Sequence, residues 1–269
     1  MRFIIARPKK RFMLFSSSTK GKNLKNTRNN KHYREAPAHN TGVWLYGRHA
    51  VLAALSNPNR KKQKLFVTAK PEFDTDSVPV QVVNKGQLEQ LLPEGAVHQG
   101  LALKADALPS IALEDIAFKD KAVVLVLDQV VDPRNIGAIL RSAAAFDAAA
   151  VVVAAAHAPT ETGALAKAAC GALEVVPFVR VNNLSRALET LKKKGFWIYG
   201  LDGYATATLS EEKLPPKTAF VLGSEGDGMR RLTSKNCDYT IKLPMSDKVE
   251  SLNVSNAAAI ALYEFYRTK

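Results

Sequence analysis

The sequence predicts an α/β protein in two parts, a larger parallel sheet with helices on both faces, preceded by a smaller α/β module. Three observations carry that expectation. Ala122–Leu127 is a nearly continuous apolar run, the pattern of a strand buried on both faces. Beyond it strands and helices alternate with a regular rhythm, as crossovers between parallel strands require. Three clusters of glycine, small and polar residues then fall at predicted strand ends, where a fold can hold a ligand against exposed backbone.

In chain order, residues 43–47 lead into an amphipathic helix over 49–55, which Asn57-Pro58-Asn59 ends. Residues 65–68 and 80–83 read as strands, 87–92 as a helix and 98–103 as another strand. These make a module over 43–106, followed by a linker at 107–117 that holds Pro109. The larger part, 118–269, opens on the Ala122–Leu127 strand and an alanine-rich helix over 136–146. A strand at 149–153, a helix over 161–173, a strand at 175–179 and a helix over 184–194 follow. Strands at 196–201, 219–222 and 239–243 complete the sheet, and a helix over 252–267 closes the chain.

At 269 residues with 46% hydrophobic content, the chain can bury a sizeable core. Its formal charge of +13 is unevenly placed: residues 1–40 hold eleven Lys or Arg against Glu35 alone, leaving only a small excess for the rest. That tail reads as a disordered basic arm suited to RNA phosphates; a transit peptide, or a true start at Met13, are the competing readings. Two cysteines, Cys170 and Cys237, suggest neither a disulfide framework nor a zinc site, and a reducing, cytoplasmic compartment fits. No apolar run reaches the ~18–20 residues of a membrane span. The five histidines show no metal spacing, so no metal is expected, and no G-x-S-x-G elbow supports a hydrolase.

The first cluster is Asp132-Pro133-Arg134-Asn135-Ile136-Gly137, running on to Arg141. Asn135 could simply cap the following helix, but Arg141 is a lone charge among apolar and small residues and needs a partner. An RNA phosphate, matched by the guanidinium fork, suits it. The second cluster is Gly223-Ser224-Glu225-Gly226-Asp227-Gly228. It lacks the Gly-Lys-Ser/Thr of a phosphate loop and the order of a dinucleotide fingerprint. Its glycines let backbone approach a ligand, although a plain turn is about as good a reading of it alone. The third is Pro244-Met245 with Ser251-Leu252-Asn253-Val254, where Ser251 reads as the N-cap of the last helix.

In this order and spacing, the three clusters closely resemble the signature motifs of the SpoU/TrmH family, the knotted methyltransferases that modify ribose 2′-hydroxyls in RNA. The resemblance covers roughly residues 43–267. It implies a trefoil-knotted SPOUT domain at 118–269 and a small L30e/L7Ae-like substrate-binding domain at 43–106, nearest to the 23S rRNA guanosine branch. It further implies S-adenosyl-L-methionine held by Gly223, Gly226, Leu243 and Leu252, with Met245 adjacent. Asn135, Arg141, Glu225, Ser251 and Asn253 are the residues that it marks for catalysis. A homodimer is implied too, with Ala258, Ala259, Leu262 and Tyr266 as a candidate contact stripe, or equally a core stripe. A guanidinium with a pKa above ~12 is a poor base, so Arg141 is expected to clamp phosphate and steady the alkoxide. Activity on tRNA, and a non-catalytic RNA-binding assembly factor, are the alternatives.

Overall fold

Two sheets organise the described residues, 42–268, of the computed structural model; the arm expected at 1–40 lies outside them. The first sheet has four strands: β1 (Val43–Tyr46), β2 (Lys62–Val67), β3 (Val80–Val82) and β4 (Leu101–Ala105), in the order β1-β4-β2-β3. β4 runs antiparallel to both β1 and β2, whereas β2 and β3 are parallel. Leu45, Leu103 and Leu65 stand opposite one another across three strands, each fully buried. They share a core with Ala50, Val51 and Ala54 of helix α1 (Arg48–Ser56). The opposite face packs partly on Leu88 of α2 (Lys85–Gln90). A capping box between Asn84 and Gln87 starts α2 two residues before the expected 87.

The second sheet has six strands, every neighbouring pair parallel: β5 (Ala122–Leu127), β6 (Ala150–Ala154), β7 (Phe178–Val181), β8 (Trp197–Leu201), β9 (Lys217–Leu222) and β10 (Tyr239–Ile241). Their order is β10-β8-β9-β5-β6-β7. Its helices are α3 (Pro133–Ala145), α4 (Gly163–Ala169), α5 (Leu184–Lys193), α6 (Arg231–Lys235) and α7 (Val254–Arg267). β5 is buried along its whole length. Val123, Leu125 and Leu127 join the core containing Ile136, Ile139, Ala258 and Leu262, while Val124 and Val126 join the core containing Ala187, Leu188 and Leu191. The alternation of strand side chains thus explains why this strand carries no polar face.

Four expectations need correction. β4 starts at Leu101, because Gln99 (φ +54) and Gly100 (φ +79) make residues 98–100 a turn, in which buried His98 accepts the Gly100 N–H through Nδ1 at 3.0 Å. The helix expected over 161–173 is only α4: Cys170 adopts φ +50 and Gly171 φ +92, and a short 3-10 turn, Ala172–Glu174, follows. The next strand accordingly begins at Phe178, after Pro177. The last helix starts at Val254 with Asn253 as its N-cap, and not with Ser251. On that helix Ala258 and Leu262 belong to the core, and the exposed apolar stripe is Ile260, Tyr263 and Tyr266.

The sheets meet at a buried ionic junction. Arg60, its side chain fully buried, bonds Glu174 through Nη2 at 2.5 Å and Nε at 3.2 Å, and donates Nη1 to the Asp106 carbonyl at 2.9 Å. Glu161 Oε1 lies 2.5 Å from Nη1, a charge contact without hydrogen-bond alignment, and its Oε2 accepts the Leu108 N–H at 2.9 Å. Gly163 fits against β1 because a Cβ there would lie 2.3 Å from the Tyr46 ring and 2.4 Å from the Trp44 carbonyl oxygen.

Candidate functional site

The three polar clusters meet beyond the carboxyl ends of the second sheet. After β5 the chain turns at Asp132, whose Oδ1 caps α3 by accepting the Arg134 N–H at 2.8 Å, so Asn135 is free of that duty. After β9 the glycine loop closes on itself: Ser224 and Gly228 exchange two backbone hydrogen bonds of 3.1 Å. Only glycine permits this closure, since a Cβ on Gly223 would sit 2.0 Å from the Gly228 carbonyl carbon. Gly226 (φ +93) and Gly228 (φ +64) complete the turn. After β10, Lys242 is tied to the Ala207–Leu209 segment by two backbone bonds of 2.9 Å, which carries residues 243–252 alongside the loop.

Asn253 links all three. Its Nδ2 donates to Glu225 Oε1 at 2.7 Å and to Asn135 Oδ1 at 3.1 Å, while its Oδ1 accepts from the Ser255 N–H at 2.9 Å and the Ser255 hydroxyl at 2.5 Å. The Val254 N–H also reaches Glu225 Oε1 at 3.3 Å. One amide therefore caps α7 and fixes the carboxylate of the glycine loop.

Beside this network lies a cleft of about 490 Å³, lined by Gly223, Glu225, Gly226, Leu243, Met245, Ser251 and Leu252 among others. The expected cofactor residues therefore share one cavity, and Asn135 and Asn253 join it through Glu225. Its wall is mixed: Leu222, Val254 and Ala257 are apolar, whereas Asp202, Asp227 and Glu250 add carboxylates against the single ammonium of Lys242. Arg141 is not in this group. It is exposed on α3, six residues beyond Asn135 and hence on another face of the helix, with Nη1 3.8 Å from Cys170 Sγ.

Residue patterns missed Asp128, Arg230 and the 202–204 turn. Asp128, completely buried at the end of β5, accepts the Arg230 N–H at 2.9 Å and its Nε at 2.7 Å, pinning the exit of the glycine loop to the central strand. An aspartate directly after six apolar residues is the signal that could have revealed it. Asp202, Gly203 and Tyr204 line the cleft from the end of β8, and no motif marks them. Among the described residues, no group of three or more His, Cys, Asp or Glu is placed to hold a metal ion, and no helix is long and apolar enough to cross a membrane.

A parallel sheet whose glycine loop and final helix border a cleft beyond the strand ends is the geometry with which an α/β protein binds a small ligand. Sequence comparison gives the class a family. Residues 122–263 match the SpoU rRNA Methylase family, and residues 44–110 match the RNA 2′-O ribose methyltransferase substrate binding domain. The chain belongs to the SpoU rRNA Methylase family. It is 38% identical over 243 residues to the 23S rRNA (guanosine-2′-O-)-methyltransferase RlmB of Salmonella typhimurium, covering 84% of this chain and 98% of that one. The RlmB of Vibrio cholerae is 40% identical over 239 residues, covering 84% and 96%. Among solved structures, the SpoU methyltransferase AviRb from Streptomyces viridochromogenes in complex with AdoMet superposes with a TM-score of 0.72 at 22% identity, over 84% of this chain and 89% of that one. An RNA 2′-O ribose methyltransferase superposes with a TM-score of 0.70 at 24% identity, over 83% and 87%. Both likenesses bear on the fold.

Proposed function

We propose that this protein transfers a methyl group from S-adenosyl-L-methionine to the ribose 2′-hydroxyl of a guanosine in 23S rRNA. The observation that carries the proposal is the Asn135–Asn253–Glu225 network, which joins the three family clusters at the edge of one cleft. The family membership and the RlmB relatives, spanned almost end to end, supply the substrate class. The tRNA alternative is not favoured by these relatives. A non-catalytic assembly factor is opposed by the intact network.

The cleft fits the cofactor. Leu222, Leu243, Leu252 and Ala257 offer an apolar bed for a purine, exposed loop backbone offers donors and acceptors, and the carboxylates suit ribose hydroxyls and positive charge. When bound, S-adenosyl-L-methionine supplies a methyl group on a sulfonium cation. The chain's own task is to hold the 2′-oxygen in line with that carbon and to exclude water. Glu225, held by Asn253 and the Val254 N–H, presents a fixed carboxylate that accepts the hydroxyl proton directly or relays it to an RNA phosphate. Arg141 binds phosphate and stabilises the developing alkoxide.

Arg141 lies apart from the cleft of its own protomer, which supports a homodimer in which it serves the cleft of a second copy. The exposed Ile260, Tyr263 and Tyr266 on α7 offer that contact surface. The proposal includes a trefoil knot at 118–269, supported by the match of residues 122–263 to the SpoU rRNA Methylase family. It also includes an L30e/L7Ae-like substrate domain at 43–106, a linker at 107–117 and a cytoplasmic location, supported by the RNA task.

The test is methyl transfer from labelled S-adenosyl-L-methionine into total RNA of cells lacking the gene, followed by size separation. Label in large-subunit rRNA with the wild type, lost with Glu225→Gln, is the expected result. Label confined to tRNA would move the substrate, and cofactor binding without label in any RNA would favour the assembly factor.

A further inference from the structure

A basic patch lies outside the cofactor cleft, on the seam where the N-terminal module touches α4. Cys170 ends α4 beside Arg141, with Sγ 3.8 Å from Arg141 Nη1 and 3.5 Å from the Lys167 carbonyl oxygen. Lys167 Nζ reaches across to donate to the Val97 carbonyl oxygen of the other module. Two residues along that turn, Gln99 Oε1 accepts the backbone N–H of Arg48, the first residue of α1, at 3.0 Å. Arg48, Lys167 and Arg141 are thereby linked along the seam through Gln99, Val97 and Cys170, with the His49 carbonyl oxygen next to Gly171. Arg48, His49 and Arg141 are all exposed.

Two features distinguish this seam from an ordinary solvated patch. No carboxylate neutralises it: among the described residues none of Arg48, His49, Lys167 and Arg141 has an acidic group within 4.0 Å, although Arg134, Arg230 and Arg267 all do. Its backbone also turns repeatedly through positive φ where the two modules meet. Gly47 (φ +87), Gln99 (φ +54), Gly100 (φ +79), Cys170 (φ +50) and Gly171 (φ +92) all hold left-handed conformations there. For Gln99 and Cys170 such a conformation costs of order 1 kcal/mol or more and persists only where the surroundings impose it. At Gly47 it is the positive φ that favours glycine; a Cβ there would lie 3.2 Å from Lys167 Nζ and 3.4 Å from Gln99 Oε1, side-chain ends that can give way.

We propose that this seam is a phosphate track on which Arg48 of the N-terminal module, together with Lys167, holds the RNA backbone next to the nucleotide served by Arg141. The inference rests on the RNA methyltransferase function proposed above and deepens it. It assigns the N-terminal module a direct part in placing the target strand, beyond general RNA attachment. The Arg48 N–H is taken by Gln99, so the anion-binding charge at the start of α1 comes from the exposed guanidinium of Arg48 together with the positive end of the helix dipole. Phosphate contacts of this kind set register and carry no base preference.

The test is the salt dependence of binding between the full-length protein and an unmethylated large-subunit rRNA transcript, for wild type, Arg48→Gln, Arg48→Lys and the remote Lys235→Gln on α6. The basic arm contributes equally to all four proteins, so differences isolate the substituted residue. Arg48→Gln is expected to flatten the log K against log salt slope by about one and to weaken binding roughly tenfold at fixed salt. Arg48→Lys should restore the slope, Lys235→Gln should leave it unchanged, and S-adenosyl-L-methionine affinity should stay at the wild-type value throughout. A wild-type slope in Arg48→Gln, with wild-type rRNA binding and methylation intact, would overturn the track while leaving the function standing. If the wild type neither binds nor methylates the transcript, the function falls and the track with it.

Discussion

At the scale of single residues, Asn253 does two jobs that can be separated. Its side chain caps α7, and the same amide orients Glu225 against Asn135. Asp is as good an N-cap as Asn, but a carboxylate here would face Glu225 and could not donate to either partner. Asn253→Asp should therefore keep the thermal midpoint close to wild type while lowering kcat about a hundredfold, the cost of a misplaced carboxylate. Asn253→Ala should lose activity and also ~1 kcal/mol of stability. Equal activity in wild type and Asn253→Asp would remove Glu225 positioning from the account. The two cysteines differ just as plainly. Burial pushes the Cys237 thiol up to about 12, with Lys192 opposing and Asp238 and Asp128 adding, whereas Cys170 is exposed. Iodoacetamide at pH 8 should alkylate Cys170 and spare Cys237, as peptide mass mapping would report.

At the scale of elements, the close pair α3–α4 depends on one glycine. A Cβ at Gly137 would lie 2.5 Å from the Ala168 Cβ and 2.8 Å from the Leu165 carbonyl oxygen. Gly137→Ala should destabilise the protein by ~1–3 kcal/mol despite its better helix propensity, read from urea midpoints; an unchanged or raised midpoint would contradict the tight crossing. The elements also show what the sequence could reveal. β5 was legible because a strand buried on both faces has no polar positions to disguise it. α4 was overextended because Ala172 and Leu173 continue the apolar period past Gly171, although the left-handed Cys170 and Gly171 have already ended the helix. Ser251 and Asn253 are equally good caps by residue type. The choice between them follows from tertiary partners of Asn253, which no local pattern contains.

At the scale of the whole molecule, the Arg60 junction couples the sheets, and its protonation gives a signed prediction. Burial raises the Glu161 carboxyl above its ordinary value of 4.5; the Arg60 charge and the Leu108 N–H lower it in part, and Glu174 adds to the rise. The folded protein then holds this proton more tightly than the unfolded chain. The stabilisation that follows is fully present below the unfolded value and fades as pH rises through the raised folded value. Relative to Glu161→Gln, the wild type should thus lose ground as pH rises from 4 towards 7.5, in urea midpoints compared pH by pH. A gap that moves in wild type's favour with rising pH would reverse the sign. Gly223, Glu225, Gly226, Leu243, Met245, Ser251 and Leu252 line one cleft; they were legible through the family resemblance of the second and third clusters, since leucine and methionine carry no local signal of a binding site. The different face of Arg141 follows from its place six residues past Asn135, but its position beside Cys170 was not legible, since that depends on where α4 ends.

The central claim is that the acceptor is a ribose 2′-hydroxyl of large-subunit rRNA. The most direct test is to methylate that rRNA with labelled cofactor, digest it with alkali and identify the labelled product by mass spectrometry. A 2′-O-methyl group blocks the neighbouring phosphodiester from alkaline cleavage, so the account predicts all label in one alkali-resistant dinucleotide that begins with guanosine. Label released on ordinary mononucleotides, with the methyl on a base, would contradict it.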